Sequence, residues 1–468
     1  MKGYLLVDFG STNTKLTVVD IESEEIIVTA KAITTIEDDI MIGFNEAYEQ
    51  IAGVIEEKQI EFVAKLGCSS AAGGLKMIAI GLVPDLTSEA AKRASLGAGA
   101  KILKTYSYEL AEDDVKEMLE LKPEIILLSG GTDGGNKETI IKNAKTLAKF
   151  EIKVPIIVAC NRNAQPEIVK IFDKAKFEYY RSENVMPSIN VLNVENVRDI
   201  IREVFMKNIV HAKGLDNAIT YVGDVLMPTP AAVLNAAQLL AKGTELEDGL
   251  GDLVVVDIGG ATTDIHSLCD GYPTKGGITM KGLAEPYAKR SVEGDLGMRY
   301  SVLSCYQAAG YRKFAKHFPA EISLEKVEEA VYLRHDHIAF VPDDDQAKKF
   351  DATIAKVCCE LAISRHAGYI ETSFSPFGTM FAQYGKDLTG VKYLIGTGGV
   401  LVYNDYPLDI LKACNFDEEF SDSLRPIKPR YLLDKTYILS SMGLLSTKEP
   451  DIALRIMKKY IREITEDE

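Results

Sequence analysis

A segment near the amino terminus combines the residue types that bind a phosphate group. An apolar run over residues 4–8 ends at Asp8, and apolar alternation resumes at Leu16 after a short polar turn. Backbone N–H groups and hydroxyls in such a turn form a small concavity that suits phosphate oxygens. Asp8 can hold Mg²⁺ through water, because Mg²⁺ keeps much of its hydration. The candidate phosphate ligands are Gly10, Ser11, Thr12, Thr14 and Lys15.

The same plan recurs over residues 252–268. Asp257 aligns with Asp8 at a separation of 249 residues, which is far longer than the period of a solenoid. The repeat therefore predicts two homologous halves that each carry one hairpin. We expect Asp8 and Asp257 both to bind the metal and to take part in catalysis, with Asp257 activating water. The second set of candidate ligands is Gly259, Gly260, Thr262 and Thr263.

A third glycine-rich turn follows an apolar strand at residues 393–395. Its glycines, Gly396, Gly398 and Gly399, remove side-chain bulk where a flat base could lie. The sequence contains neither G-x-x-x-x-G-K-[ST] nor G-x-G-x-x-G. The absence of both motifs disfavours a P-loop enzyme and a Rossmann dehydrogenase.

The elements that must position these turns alternate between strands and helices, which is typical of an α/β protein with a parallel sheet. Strands are predicted at 124–129 and 154–159, and helices at 112–121, 137–149, 165–175, 195–211, 230–242, 320–333, 346–367 and 436–446. We expect residues 1–104 to begin an amino-terminal half, 105–190 to form an inserted α/β subdomain, 191–250 to complete that half, and 251–468 to form the carboxy-terminal half.

Composition excludes several classes of partner. The 468 residues carry a net charge of −16, so the chain is a poor candidate for coating nucleic acid or an anionic membrane. The first apolar run is too short for a signal peptide, and no stretch approaches the length of a membrane span. The seven cysteines show no C-x-x-C spacing. This pattern predicts a reduced cytoplasmic protein without an iron–sulfur cluster.

Taken together, the three turns resemble the nucleotide-binding motifs of the actin-like ATPase superfamily, which includes actin, Hsp70 and sugar kinases. Asp8–Lys15 resembles its first phosphate motif, Asp257–Asp264 its second, and Gly396–Gly399 its adenosine motif. The resemblance implies an α/β fold of two RNase-H-like halves around a nucleotide cleft, with an α/β insertion in the amino-terminal half. It also implies ATP and Mg²⁺ as ligands, and the helices at 230–242 and 436–446 as the connecting helices.

A finer resemblance is to the accessory proteins of adenosylcobalamin-dependent glutamate mutase, the MutL/GlmL family. It is carried by four short sequence segments distributed along the chain, which we call family phrases: Gly67–Gly74, Leu128–Gly135, Ser291–Arg299 and Asp434–Leu439. The resemblance implies an ATP-binding, ATP-hydrolysing reactivating chaperone whose client is the mutase. For the glycines at 130–135, turn geometry is favoured over ligand binding.

Alternatives stay open from the sequence alone. A small-molecule kinase needs an aspartate base, for which Asp224 and Asp295 are the candidates. An electron activator of dehydratases would need cysteines that bridge an iron–sulfur cluster, and the adjacent Cys358 and Cys359 are poorly spaced for that. An actin-like scaffold is the non-enzymatic alternative. His335 and His337 would share one face of a strand and could bind a metal, although the acidic residues that follow favour a polar surface segment.

Overall fold

The computed structural model describes residues 1–10, 12–35, 39–70, 76–97, 100–209, 221–223, 225–376 and 378–466. The chain divides into two compact units. Unit 1 comprises Met1–Ala232 and Gly282–Ala284, and unit 2 comprises Val233–Lys281 and Glu285–Glu468. Among the described residues, no helix has both the length and the apolar character needed to cross a membrane.

The principal sheet of unit 1 has five strands in the order β10-β4-β1-β2-β3. Its strands are β1 (Lys2–Phe9), β2 (Asn13–Asp20), β3 (Glu25–Ile33), β4 (Glu61–Ser69) and β10 (Val225–Pro228). The strand β2 runs antiparallel to both of its neighbours, β1 and β3, whereas β4 lies parallel to both β1 and β10. Every residue of β1 after Lys2 is buried, which matches its continuous apolar run.

The principal sheet of unit 2 repeats this topology. Its order is β14-β12-β11-β17-β18-β19, formed by β11 (Leu253–Ile258), β12 (Thr263–Leu268), β14 (Ala288–Glu293), β17 (Tyr393–Thr397), β18 (Arg430–Leu433) and β19 (Arg462–Glu463). The strand β12 runs antiparallel to both β11 and β14, and β17 is parallel to β11 and β18. Both units are thus RNase-H-like, and the two halves predicted from the repeated hairpin are confirmed.

Unit 1 contains a second sheet, whose five strands are all parallel. The order is β6-β5-β7-β8-β9, with β5 (Lys76–Ile80), β6 (Lys101–Tyr106), β7 (Ile125–Gly130), β8 (Ile156–Cys160) and β9 (Tyr179–Arg181). It has its own apolar core, which includes Ile78, Leu128 and Val158. The predicted alternation of strands and helices is therefore found here, while the exact four-segment division of the chain stays a prediction.

The α-helices whose bounds lie within the described residues pack with these sheets. They are α1 (Ile40–Glu57), α2 (Glu89–Gly97), α3 (Glu112–Glu120), α4 (Glu138–Leu147), α5 (Gln165–Ala175), α6 (Glu195–Ile209), α7 (Thr229–Lys242), α8 (Val302–His317), α9 (Leu324–Asp336), α10 (Asp345–His366), α11 (Gly399–Tyr403), α12 (Pro407–Lys412), α13 (Leu439–Leu445) and α14 (Pro450–Tyr460). Side chains of Asp39, Ser323 and Asp344 accept hydrogen bonds from the first turns of α1, α9 and α10. Such caps satisfy N–H groups that have no partner within the helix.

Helix α10 forms the centre of the unit 2 core, and 13 of its 22 residues are buried. Its ionic residues are paired rather than isolated. The carboxylate of Asp351 pairs with Arg334 and Arg299, and Glu360 contacts both Lys313 and His317. Burial alone would raise the pKa of Glu360, but hydrogen bonds from His317 and Lys313 lower it to about 2.

A smaller sheet completes unit 2, in the order β13-β16-β15. It is built from β13 (Ile278–Lys281), β15 (Tyr369–Ser375) and β16 (Gly378–Tyr384). The strands β15 and β16 form an antiparallel hairpin, and β13 lies parallel to β16.

Candidate functional site

The first candidate hairpin is formed by β1 and β2. Its turn is closed by a hydrogen bond of 3.1 Å from the Gly10 N–H to the carbonyl of Asn13. A Cβ atom at position 10 would lie 2.5 Å from that carbonyl oxygen, so only glycine permits this closure. Thr12 is half-buried in the turn, and its carbonyl accepts a hydrogen bond from Thr34. Ser11 lies outside the described residues.

Asp8 is the most constrained residue of this hairpin. Its side chain is fully buried, and Oδ2 lies 2.8 Å from the Lys15 Nζ directly across the strand pair. The Thr229 hydroxyl, at the start of α7, donates to Asp8 Oδ1 at 2.7 Å. The Cys68 thiol on β4 lies 3.6 Å from the same oxygen. Burial, followed by the negative charge of Asp8, raises the pKa of this thiol well above its usual range.

Thr14 has a different environment from the other candidates of the first hairpin. It is fully buried, and its hydroxyl lies 3.1 Å from the hydroxyl of Thr34. This contact joins β2 to the segment that follows β3. The structure thus brings Gly10, Thr12 and Lys15 together around the turn, and gives the Thr14 side chain a partner inside the sheet.

The second hairpin, between β11 and β12, reproduces the first in its backbone. The Gly259 N–H donates to the carbonyl of Thr262 at 2.9 Å, which matches the closure of the first turn. Thr263 is fully buried, like Thr14, and donates to the carbonyl of Leu296 at 2.9 Å. Gly260 and Thr262 remain half-buried in the turn. The predicted equivalence of the two turns therefore extends to their hydrogen bonds.

The two hairpins differ in charge at the ends of their strands. Asp8 faces Lys15, whereas Asp257 faces a second carboxylate, Asp264. Arg290 on β14 pairs with Asp264 at 2.9 Å, and both of these side chains are buried. Asp257 itself is only half-buried. Two carboxylates therefore lie opposite each other at the end of the second hairpin, and carboxylate oxygens are among the ligands that Mg²⁺ prefers.

The family phrase Ser291–Arg299 supports the second turn from outside. Backbone N–H groups of Met298 and Arg299 donate to the carbonyls of Gly259 and Gly260, at 3.0 and 2.8 Å. A Cβ atom at Gly297 would lie 2.7 Å from the Gly260 oxygen, so this loop approaches the turn more closely than a side chain allows. The role of the phrase is therefore to hold the turn in place.

The third turn lies at the same sheet edge as the second hairpin, because β17 runs parallel to β11 and Thr397 pairs with Asp257. Gly398 has a φ of 103° and a Cβ there would lie 2.4 Å from the Ile258 carbonyl oxygen. Gly396 is buried against Leu411, and nothing lies within 4 Å of a Cβ built at Gly399. The glycines thus let this turn lie against the end of β11.

The family phrase Asp434–Leu439 has a structural role beside this turn. Asp434 is fully buried and accepts hydrogen bonds from the Thr397 hydroxyl and from the N–H groups of Ile438 and Leu439, all at 3.0 Å. It therefore anchors the start of α13 to the end of β17. The phrase Gly67–Gly74 begins on β4 beside Asp8, and its residues 71–74 lie outside the described part of the chain.

The candidate residues for the alternative functions lie in several different environments. Asp295, a candidate kinase base, is held by two hydrogen bonds from Arg365, at 2.7 and 2.9 Å. The other candidate base, Asp224, lies outside the described residues. His335 lies in the last turn of α9 rather than on a strand. All seven cysteines are buried and none forms a disulfide, and no group of three potential metal ligands exists among the described residues.

A cavity of about 280 Å³ lies elsewhere in unit 2, between α9 and α10. Its lining includes Arg334, Phe340 and Phe350 and none of the predicted ligand residues. The Arg299 guanidinium donates to the Phe340 carbonyl and to Asp351, and the backbone N–H of Arg299 donates to the Gly260 carbonyl in the second turn. Arg299 therefore links the wall of this cavity to the second hairpin.

Sequence reasoning missed the partners that fix the side chains of the first hairpin. Thr229 is separated from Asp8 by 221 residues, and Thr34 from Thr14 by 20. A threonine followed by proline at the start of a predicted helix was the available signal for Thr229, because it is typical of a helix N-terminus. Cys68 lies within the family phrase Gly67–Gly74, but its position in the sequence gives no indication that it contacts Asp8.

Comparison with known proteins identifies the relatives of this chain. The family model described as "MutL protein" matches residues 4–461. Protein MutL of Clostridium tetanomorphum is 57% identical over 464 residues, which cover 99% of this chain and all of that protein.

Solved structures show more distant similarity. A nucleotide-free acetone carboxylase matches with a TM-score of 0.40 and 13% identity, covering 95% of this chain and 70% of the other. Xylulose kinase from Lactobacillus acidophilus matches with a TM-score of 0.34 and 11% identity, covering 99% and 93%. The activator of 2-hydroxyisocaproyl-CoA dehydratase from Clostridium difficile, with bound ADPNP, gives 0.32 and 9%, covering 99% of both chains. The family match and the identity to the clostridial protein confirm the predicted family: the chain belongs to the MutL family.

Proposed function

We propose that this chain is an ATP-binding, ATP-hydrolysing accessory protein for adenosylcobalamin-dependent glutamate mutase. The observation that carries the proposal is the repeated hairpin. Each unit has the same strand order, and each carries a glycine turn closed by the same hydrogen bond at the same sheet edge. The MutL membership supports the accessory role, because the resemblance that predicts this family implies the mutase as client.

The phosphates of ATP are assigned to the two turns. The ligands are Gly10, Ser11, Thr12, Thr14 and Lys15 in unit 1, and Gly259, Gly260, Thr262 and Thr263 in unit 2. Backbone N–H groups and hydroxyls of the turns would contact the phosphate oxygens, and Lys15 would supply a charge-assisted contact. The glycines at 396, 398 and 399 are assigned to the base, since they lie beside the second hairpin.

Mg²⁺ is assigned to the carboxylates at the strand ends. Asp257 fits this role, because it is half-buried and faces the Asp264 carboxylate across the strand pair. Asp8 fits only if Lys15 moves, since the ammonium group already occupies one of its oxygens. We therefore propose that Lys15 leaves Asp8 for a phosphate when nucleotide binds. Bound Mg²⁺ would neutralise phosphate charge.

The client role has a thermodynamic requirement. A mutase that holds an inactive cobalamin tightly must open before the cofactor can leave. A partner promotes this opening only if it binds the open state more tightly than the closed state. Hydrolysis of ATP can supply a cycle in which that binding is made and then released.

The test measures ATP binding and hydrolysis with and without Mg²⁺, and with and without cobalamin-loaded glutamate mutase. We expect slow basal hydrolysis that rises with the mutase, together with release of cobalamin. Binding of ATP without any effect of the mutase would contradict the client assignment and preserve the nucleotide site. Complete failure to bind ATP would contradict both.

A pair of variants tests the role of Lys15. A charge-assisted hydrogen bond contributes about 1.5–3 kcal/mol, so Lys15→Ala should raise the Kd for ATP roughly 10- to 150-fold. The matched control is Lys104→Ala, which removes an exposed lysine paired with Glu117 in the second sheet of unit 1. An equal Kd for the two variants would contradict the assignment of Lys15.

A further inference from the structure

The β15–β16 hairpin of unit 2 presents an unusual surface for an acidic protein. From Thr372 to Gly385 it contains no charged residue, whereas the whole chain carries a net charge of −16. Phe374 is 85% exposed, and Met380 and Phe381 are also exposed. An exposed, uncharged edge strand invites pairing with another strand, and proteins ordinarily protect such edges with charges or proline. In β15 such protection is confined to the two ends of the exposed segment, at Glu371 and at Pro376.

Among the described residues, no strand pairs with the outer edge of β15 over its second half. In the described chain, β15 pairs with β16 on one side only. On the other side, Ile370 donates its N–H to Asp422 at 2.8 Å, in an isolated antiparallel bridge that ends there. Outward-facing residues alternate along an antiparallel strand. Thr372 and Phe374 therefore direct their N–H and C=O groups outward beyond that bridge.

We propose that β15 is the edge at which two copies of this chain pair. The strands run antiparallel about a two-fold axis at Ser373. In this register Thr372 of each copy forms a hydrogen-bonded pair with Phe374 of the other, which satisfies all four outward N–H groups. Ser373 then faces Ser373 of the second copy in a non-hydrogen-bonded pair. The proposal does not depend on the proposed ATPase function.

A second copy is the occupant favoured by charge and symmetry. Two chains with a net charge of −16 repel one another, and a hairpin whose one charged residue is Glu371 is a place where they can meet with little like-charge contact. A two-fold interface requires a patch that complements itself, and antiparallel pairing of one edge with its copy meets that requirement. The register also keeps the two Glu371 carboxylates apart, because position 371 then faces position 375.

The first experiment introduces a thiol at the proposed axis. Residues in a non-hydrogen-bonded antiparallel pair have Cα atoms about 4.5 Å apart, which is within the range for a disulfide. All seven native cysteines are buried, so the new thiol reacts without interference. With oxidised glutathione, the two Ser373→Cys thiols of a dimer should be oxidised to one intermolecular disulfide while the glutathione disulfide is reduced to two thiols. The control is Thr379→Cys on β16, an exposed position that lies away from the axis and should give no cross-linked dimer.

The second experiment measures mass by sedimentation over a range of concentrations. The wild-type mass should rise from 51.4 kDa towards twice that value. Phe374→Lys should abolish the rise, because it places like charges at the pairing edge. The control Ile189→Lys, at a position of unit 1 that is 68% exposed, should leave it unchanged. A wild-type chain that stays monomeric, together with a Ser373→Cys variant that forms no cross-link, would overturn the proposal, and so would a dimer that survives Phe374→Lys.

Discussion

Removal of the Lys15 ammonium should destabilise unit 1 far more than removal of an exposed lysine whose ion pair has a similar N–O distance. Lys15 is 14% exposed, and its partner Asp8 is fully buried. Loss of one member of a buried ion pair leaves an uncompensated charge, at a cost of about 3–5 kcal/mol. The Thr229 hydroxyl keeps one hydrogen bond to Asp8 but brings no charge. We therefore expect Lys15→Met to lower the free energy of unfolding by close to this amount.

The assay is thermal unfolding followed by circular dichroism, since the chain contains no tryptophan. For a unit of this size, each kcal/mol shifts Tm by roughly 2–4 °C, so Lys15→Met should lower Tm by roughly 6–20 °C. The control is Lys104→Met. Its ammonium lies 2.6 Å from Glu117, but both side chains are almost half exposed, and such pairs contribute about 0–1 kcal/mol.

A double-mutant cycle completes the argument. Asp8→Asn removes the buried charge, so Asp8→Asn combined with Lys15→Met should be less destabilised than the sum of the two single variants. Hydrogen exchange at β1 and β2 locates the effect in the first hairpin. Equal shifts of Tm for Lys15→Met and Lys104→Met, or strict additivity in the cycle, would refute the view that burial makes this pair important.

Two further predictions concern unit 2. Gly398→Ala should destabilise the turn by about 1–3 kcal/mol and weaken ATP binding, because the new Cβ would lie 2.4 Å from the Ile258 carbonyl oxygen. The control is Gly134→Ala, since Gly134 also has a positive φ but nothing lies within 4 Å of a Cβ built there. Similar unfolding midpoints for these two variants would count against a steric role. Glu360 has a folded pKa of about 2 against 4.5, so its contribution to stability is present above pH 4.5 and is lost as the pH falls towards 2. We expect the free energy of unfolding, measured by urea titration, to fall less between pH 4.5 and pH 2 for Glu360→Gln than for wild type. Equal falls for the two proteins would contradict the low pKa of Glu360.

Much of the backbone plan was predictable because its signals are local. The apolar run before Asp8, the glycine at the turn and the alternation after it define a hairpin within a dozen residues. Helices predicted at 165–175 and 346–367 are observed as Gln165–Ala175 and Asp345–His366, since apolar periodicity and capping residues lie within the elements themselves. The repeat of this plan 249 residues later predicted the duplicated fold from the same kind of local pattern.

The environments of the candidate side chains were not predictable in the same way. Thr14 and Thr12 are two residues apart in one polar turn, yet Thr14 is fully buried against Thr34 and Thr12 is half-buried. Asp295 is a plausible base from its sequence context, but Arg365, 70 residues later, holds both of its oxygens. Such pairings depend on which elements become neighbours, and no short-range pattern encodes that.

The sequence by itself determined the two phosphate-type turns, their strands and the glycines without which they could not close. Its family phrases also determined the relationship to MutL proteins. Only the tertiary structure decided that Asp8 is neutralised by Lys15 and held by Thr229, whereas Asp257 faces another carboxylate. The physical reason is that a turn forms from contacts within a few residues, while the charge and burial of its side chains are set by strands and helices brought together from distant parts of the chain.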